Sequence, residues 1–264
     1  IHYMRVSLII TTYNRADALL LVLLSVENQT IIPSEVIIAD DGSSNITEEL
    51  IYNFQKKNKL RITHSWQEDK GFRVAKARNK AIAKSIGDYI IIIDGDMILH
   101  SNFVEDHINN AKPNYLVQGS RVLLTEEKTV DVLNNKVVNF SIFSSGLQNR
   151  KNAIHSSLLA KIFSTNNIFL NGTRSCNLAF YRNDCISVNG FNNEFEGWGR
   201  EDSEFVARLL NCGLKRRILK FNAIQYHLWH NISSKSFLLK NNKLLESSIA
   251  NKLKFCNNGI NSYL

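Results

Sequence analysis

The sequence predicts an α/β protein, a single Rossmann-like domain with a mostly parallel central sheet flanked by helices. Three observations predict it. Short apolar runs rich in β-branched residues alternate with helical stretches through the first half of the chain, and that alternation specifies parallel βαβ units. The runs are short and continuously apolar, as strands covered on both faces are. Polar clusters, Thr11–Arg15, Asp40–Ser43 and Asp94–Asp96, follow the first, second and fourth runs, at the carboxyl ends of strands, where such sheets bind ligands.

In chain order, Val6–Thr12 reads as a buried strand and Ala16–Asn28 as a helix. Glu35–Asp40 is a second strand. A Ser43-Ser44-Asn45 cluster caps a helix over Thr47–Lys57. Leu60–Trp66 is a third strand. Val74–Ile86 is a helix packing through Ala75, Ala77, Ala81 and Ile82, with Gly87 as its C-cap. Tyr89–Asp94 is a fourth strand, leading into Asp94-Gly95-Asp96. The second half is less regular. Asn114–Leu124 reads as a strand, Thr125–Asn167 as a polar stretch with helices, Ser203–Asn211 as a helix closed by Gly213, and Lys215–Ala223 as a strand. Phe237–Phe255 has helical apolar spacing with Lys between. The expected organisation is one domain over residues 1–264: a nucleotide-binding half (1–111), a second half (112–230) and a basic helical extension (231–264).

The 264 residues are 44% hydrophobic and 21% charged, an ordinary globular composition. The Leu19–Leu24 run falls far short of the roughly 20 residues a membrane-spanning helix needs. Ile1–Leu8 carries no apolar stretch of secretory type. Cys176, Cys185, Cys212 and Cys256 show neither CxxC nor zinc-ligand spacing, so they are expected to be free thiols in a reducing, cytoplasmic compartment. The net charge of +8 is concentrated: from Phe205 onward there are ten of the 32 Lys and Arg and one of the 24 acids. Such an end suits solubility, and equally an anionic partner such as the inner face of a membrane or a phosphorylated acceptor. Aromatic interleaving is sparse there, against nucleic-acid binding.

Asp94-Gly95-Asp96 places two carboxylates beyond a buried apolar strand, which is costly unless a cation meets them. Oxygen ligation suits Mg²⁺ or Mn²⁺, although Asp-Gly is also a common turn dipeptide. Asp40-Asp41-Gly42-Ser43 offers a carboxylate for a pyrimidine imide or a ribose hydroxyl, or a turn feeding a helix. Arg73 and Arg78 lie near a helix start, where phosphate is well received. Later, Glu196-Gly197-Trp198-Gly199-Arg200-Glu201-Asp202-Ser203-Glu204 presents an indole between glycines, a platform for a sugar ring. Its carboxylates open a helix, where the dipole favours them, and one of them suits proton acceptance from an attacking hydroxyl. His227 and His230 are candidate Mn²⁺ ligands.

Taken in order, Val6–Arg15, Ala39–Ser43, Ala77-Arg78-Asn79 and Asp94-Gly95-Asp96 resemble family 2 glycosyltransferases of GT-A fold. The Phe191…Glu196–Glu204 stretch is similar to the C-terminal motif of β-1,4-galactosyltransferases and bacterial chondroitin-polymerase modules. The resemblance covers roughly Arg5–His230, with Lys112–Asn171 poorly matched. It implies that Thr11, Tyr13, Arg15 and Asp41 hold the nucleotide of a UDP-sugar, Tyr13 beside the base and Asp41 on its imide. Arg73 and Arg78 would lie near the base or diphosphate, Asp94 and Gly95 at the ribose, and Asp96 with His227 on the metal, His230 being the alternative ligand. Trp198 and Gly199 would line the acceptor, Asp202 would be the base and Glu201 would orient the acceptor. Retaining relatives tend to carry Asn in place of Asp202, so the carboxylate implies inversion, giving a β-glycoside on a glycan or glycolipid acceptor such as a bacterial lipooligosaccharide or capsule.

Two other classes compete with this reading. A sugar-nucleotide nucleotidyltransferase would want a Gly-rich basic loop near the N-terminus, and Thr11–Arg15 has no Gly. A non-catalytic sugar-binding module would have no use for Asp202. A dinucleotide dehydrogenase is disfavoured by the lack of GxGxxG after the first strand.

Overall fold

The computed structural model describes residues 4–231 and 234–264. Its strands are β1 (Val6–Thr12), β2 (Glu35–Asp40), β3 (Ile62–Trp66), β4 (Tyr89–Asp94), β5 (Met97–Leu99), β6 (Tyr115–Gln118), β7 (Ser120–Leu124), β8 (Leu147–Gln148), β9 (Thr165–Asn167), β10 (Asn177–Tyr181), β11 (Lys215–Ile218) and β12 (Ile224–His227). Its α-helices are α1 (Ala16–Glu27), α2 (Asn45–Lys57), α3 (Val74–Lys84), α4 (Phe103–Asn110), α5 (Glu126–Asn135), α6 (Ser157–Phe163), α7 (Arg182–Ser187), α8 (Glu201–Asn211) and α9 (Leu238–Ala250).

The main sheet has eight strands in the order β3-β2-β1-β4-β10-β6-β11-β9. All but β9 and β10 run in one direction. Every residue of β1 and β2 is buried, because helices cover both faces. One apolar core lies on the face of Leu8, Ile10, Leu19 and Ile91, and another on the face of Ile9, Ala77, Ile92 and Phe205. A second sheet, β5-β12-β7-β8, has its own core around Leu21, Ile98, Val122 and Tyr226. Among the described residues, no helix is long and apolar enough to cross a membrane. The thiols are free, with Cys212 alone exposed.

The first half follows the sequence pattern closely; the second departs from it at identifiable points. The helix expected to reach Ile86 ends at Lys84, with Ser85 already extended. Gly87 is therefore no C-cap. It is small because a Cβ there would sit 2.4 Å from Ser7 Oγ. Asn114–Leu124 is two strands in two different sheets, separated at Gly119, whose bare Cα passes the Asn177 side chain at a distance no Cβ tolerates. Lys215–Ala223 likewise yields a strand only to Ile218. Central strand β10 carries no sequence signal recognised above. It lies antiparallel between β4 and β6, and its Asn177 amide donates to the Ser120 and Ala223 carbonyls, tying the two sheets together. Residues 238–264 pack onto the rest: Ser248 Oγ donates to Glu204 on α8, and Ile260 lies in the second core.

Candidate active site

The parallel strands deliver Thr11, Asp41 and Asp94 to one edge. Thr11 Oγ1 donates to Asp94 Oδ1 at 2.9 Å. Gly95 approaches so closely, its N–H donating to the Thr11 carbonyl at 2.7 Å, that a Cβ would collide with that carbonyl. Gly95 thus sets the spacing of the Asp-Gly-Asp turn by being small. Asp41 is buried, and its two oxygens accept from the Gln67 amide and the Arg73 N–H, both at 2.6 Å. Burial pushes its carboxyl up despite these bonds, and the carboxylate orders the 67–73 loop at the start of α3. The Arg73 guanidinium bonds to the Glu68 carbonyl. Tyr13 is half exposed and donates to Asp69 at 2.8 Å, and Arg15 pairs with Asp17.

β5 returns antiparallel to β12, with His227 opposite Met97. That register brings two segments distant in sequence to one point. Asp96 Oδ2 lies 3.5 Å from His227 Nε2 and 3.3 Å from His230 Nε2, and ligand atoms of all three fall within 4.8 Å of one another. The sequence held His227 and His230 as alternatives; the structure gathers both. His230 Nδ1 bonds to the Asn231 carbonyl at 2.7 Å, which orients the ring with Nε2 toward Asp96. Asp96 Oδ1 is buried without a hydrogen-bond partner among the described residues, an arrangement that costs free energy unless a cation is bound. Burial pushes the Asp96 carboxyl up, but the two histidines and Arg15 outweigh it and hold it below its usual value. Two imidazoles and a carboxylate suit Mn²⁺ better than Mg²⁺. These residues fit a divalent ion.

The Glu196–Glu204 motif is bent into place by positive φ angles at Gly197, Gly199 and Arg200. α9 clamps it: Asn241, fully buried, donates to the carbonyls of Glu196 and Gly199, and the Phe237 ring fills the place of a Gly197 Cβ. The loop presents Trp198, 41% exposed, with Lys235 Nζ 5.9 Å from its ring centroid. α8 then opens with Glu201 and Asp202 in its first turn. Asp202 accepts from the Ser175 N–H at 3.1 Å and the Ser203 N–H at 2.6 Å. Burial raises its carboxyl, opposed by the charge of Arg78. Glu201 is pushed up to about 7 by burial and by Asp202, again against Arg78.

Arg78 joins the two sides. Its guanidinium, 3% exposed, reaches Glu201 Oε1 at 3.0 Å and Asp94 Oδ1 at 3.3 Å. The structure therefore commits it to two carboxylates inside the protein. Ser175, Gln67, Asp69 and Asn241 complete the arrangement and were not singled out in the sequence. Ser175 acts through its backbone N–H, which leaves no mark on residue type.

A largely parallel α/β sheet flanked by helices, with an Asp-Gly-Asp turn at the end of a central strand, is the architecture of the GT-A class of transferase folds. Residues 7–168 match the profile described as glycosyl transferase family 2, and residues 163–231 match the one described as the N-terminal domain of galactosyltransferase. The chain belongs to glycosyl transferase family 2. It is 29% identical over 240 residues to chondroitin synthase of Escherichia coli and 30% identical over 242 residues to chondroitin synthase of Pasteurella multocida. Each alignment covers 84% of this chain, which spans 34% and 24% of those relatives' lengths. Among solved structures, Staphylococcus aureus TarS (residues 1–349) superimposes over 94% of this chain and 68% of its own, with a TM-score of 0.60 and 17% identity. The likeness shows the GT-A fold. That protein has also been solved in complex with UDP.

Proposed function

We propose that the chain is a metal-dependent inverting glycosyltransferase that moves a hexose or N-acetylhexosamine from a UDP-sugar to a hydroxyl of a glycan or glycolipid acceptor, forming a β-glycosidic bond. The observation that carries this reading is Arg78 joining Glu201, of the Glu201–Asp202 pair, to Asp94 of the Asp-Gly-Asp turn, whose Asp96 lies with His227 and His230. The chondroitin synthases among its relatives, and the UDP complex of TarS, support a nucleotide-sugar donor and a polysaccharide product.

Asp202 is the general base. Two backbone N–H groups fix its orientation, and a carboxyl raised by burial is better matched to accepting a hydroxyl proton near neutral pH than an ordinary one. Glu201, pushed up to about 7 by burial and Asp202, keeps its proton to higher pH than an ordinary carboxyl and orients the acceptor. Asp94, tethered by Thr11 and Arg78, receives the ribose. Trp198 offers its exposed face to a sugar ring. When bound at Asp96, His227 and His230, Mn²⁺ or Mg²⁺ supplies the positive charge that a departing diphosphate needs. The acceptor oxygen attacks the anomeric carbon as Asp202 takes its proton, and the C–O bond to the diphosphate breaks on the opposite face.

The test is a panel of UDP-sugars scored by thermal stabilisation and by sugar release, with and without Mn²⁺. Stabilisation by UDP that requires Mn²⁺, with Asp202→Asn retaining it but losing turnover, is expected. UDP binding indifferent to Mn²⁺, or an active Asp202→Asn enzyme, overturns the assignment.

A further inference from the structure

The corner of the main sheet formed by α6 and β9 plays no part in the chemistry above, yet it exposes large apolar side chains in series. Leu158, Ile162, Phe163, Ile168 and Phe169 are 70%, 64%, 51%, 64% and 67% exposed. Single exposed apolar residues are normal on any surface, but a run of this kind within one helix–turn–strand unit is not. The unit is held in place rather than loose. The Phe163 ring packs edge-on against Phe221 at 5.7 Å, Ser164 Oγ accepts from the Lys220 N–H, and β9 pairs antiparallel with β11.

The exposed charge on its own elements is of one sign, the nearby Asp106 being buried beneath His155 and Ala223. No Asp or Glu occurs between Asp131 and Asp184, nor between Glu204 and Glu246, so α6, β9, β11 and the turn after β11 contain no acid. Lys161, Lys215 and Lys220 are exposed on these same elements. We propose that this corner seats the chain on an anionic lipid bilayer, the apolar side chains entering the headgroup boundary and the lysines meeting lipid phosphates. Apolar side chains ringed by cations are the pattern of a peripheral bilayer contact. A second copy of the chain fits poorly, because two such corners would oppose like charges with no carboxylate between them. The corner also lies close to the acceptor side. Arg216 on β11 donates to the Asn171 carbonyl and Thr173 Oγ1, in the segment leading from Phe169 to Ser175, the residue that orients Asp202. Bilayer contact there brings the base toward a lipid-borne glycan. The placement differs from the Lys-rich α9, which braces the acceptor loop and pairs Lys240 with Glu196 at 3.7 Å.

The experiment is co-sedimentation of the full chain with phosphatidylcholine vesicles containing either no anionic lipid or about 30 mol % phosphatidylglycerol. The wild type is expected to pellet with the anionic vesicles alone. The Ile162→Ser/Phe169→Ser and Lys161→Glu/Lys220→Glu variants should each lose at least tenfold in vesicle affinity while keeping the wild-type Tm and UDP response, and Lys240→Glu/Lys243→Glu should bind as the wild type does. Three results overturn the proposal: wild-type binding indifferent to lipid charge; loss of binding confined to the α9 variant; or a wild-type dimer in sedimentation velocity that Ile162→Ser/Phe169→Ser abolishes. Because nucleotide binding is read separately, a failed donor assignment leaves a different signature from a failed bilayer contact.

Discussion

Replacing Arg78 with Met removes the guanidinium that spans the crevice while keeping much of its stem volume. Breaking a buried ion pair from one side typically costs about 3–5 kcal/mol, but two features lower that here. Asp94 is 37% exposed, so water takes over much of its half of the interaction, leaving about 0–1 kcal/mol there. Glu201 is nearly buried, yet it can neutralise itself by taking a proton. Its carboxyl already stands at about 7 against an ordinary 4.5. A folded-state value above the unfolded one means that stability is full below pH 4.5 and falls as pH rises through about 7. Without Arg78 the folded value climbs further, so the fall continues beyond the point where the wild type levels off. The expected loss for Arg78→Met is about 1 kcal/mol near pH 6 and about 3 kcal/mol near pH 8. Urea unfolding at the two pH values measures it. Turnover should drop roughly a hundredfold as Asp94 and Glu201 lose their shared anchor. A stability loss that is equal at the two pH values, or below about 0.5 kcal/mol at the higher one, refutes the reasoning.

Four further outcomes are expected. Asp202→Asn should lower kcat by about 10²–10⁴-fold, the usual range for a general base, with UDP affinity by calorimetry unchanged. His230→Ala and Asp96→Ala should each abolish the Mn²⁺ dependence of UDP binding; a His230→Ala protein that titrates with Mn²⁺ like the wild type would remove His230 from the ligand set. Gly95→Ala forces a Cβ to 2.7 Å from the Thr11 carbonyl and should cost about 1–3 kcal/mol in unfolding experiments. Gly197→Ala combines a φ of +68° with a Cβ 2.5 Å from the Phe237 ring, so a loss of about 2–3 kcal/mol is expected, together with quenching changes at Trp198 as the loop is displaced.

The first half of the fold was legible because β1, β2 and β4 are covered on both faces, so their sequences are uninterrupted apolar runs with polar residues only at their ends. Asp41, Asp94 and Asp96 could be picked out for that reason. The second half was not legible, because its decisive events leave little local trace. Gly119 switches the chain from one sheet to the other through a close passage to Asn177. Strand β10 is five residues long and follows a polar stretch. The gathering of Asp96 with His227 and His230 depends on β5 pairing with β12, a contact between distant segments that no periodicity announces; the order of motifs in a resembling family pointed only to Asp96 with one of the two histidines. In the sequence Arg78 reads as a phosphate-directed side chain near a helix start, whereas its two carboxylate partners come from β4 and α8 and become visible only once both elements are in place.

The grip of Asn241 and Phe237 on the Gly197–Gly199 bend also bears on how this loop can be exchanged. The indole-bearing loop takes its shape from a helix some forty residues downstream, so the two form one packed unit. Exchanging Glu196–Arg200 with a relative's segment while leaving α9 untouched would mate a foreign bend to the wrong clamp. Transplanting both together preserves the fit.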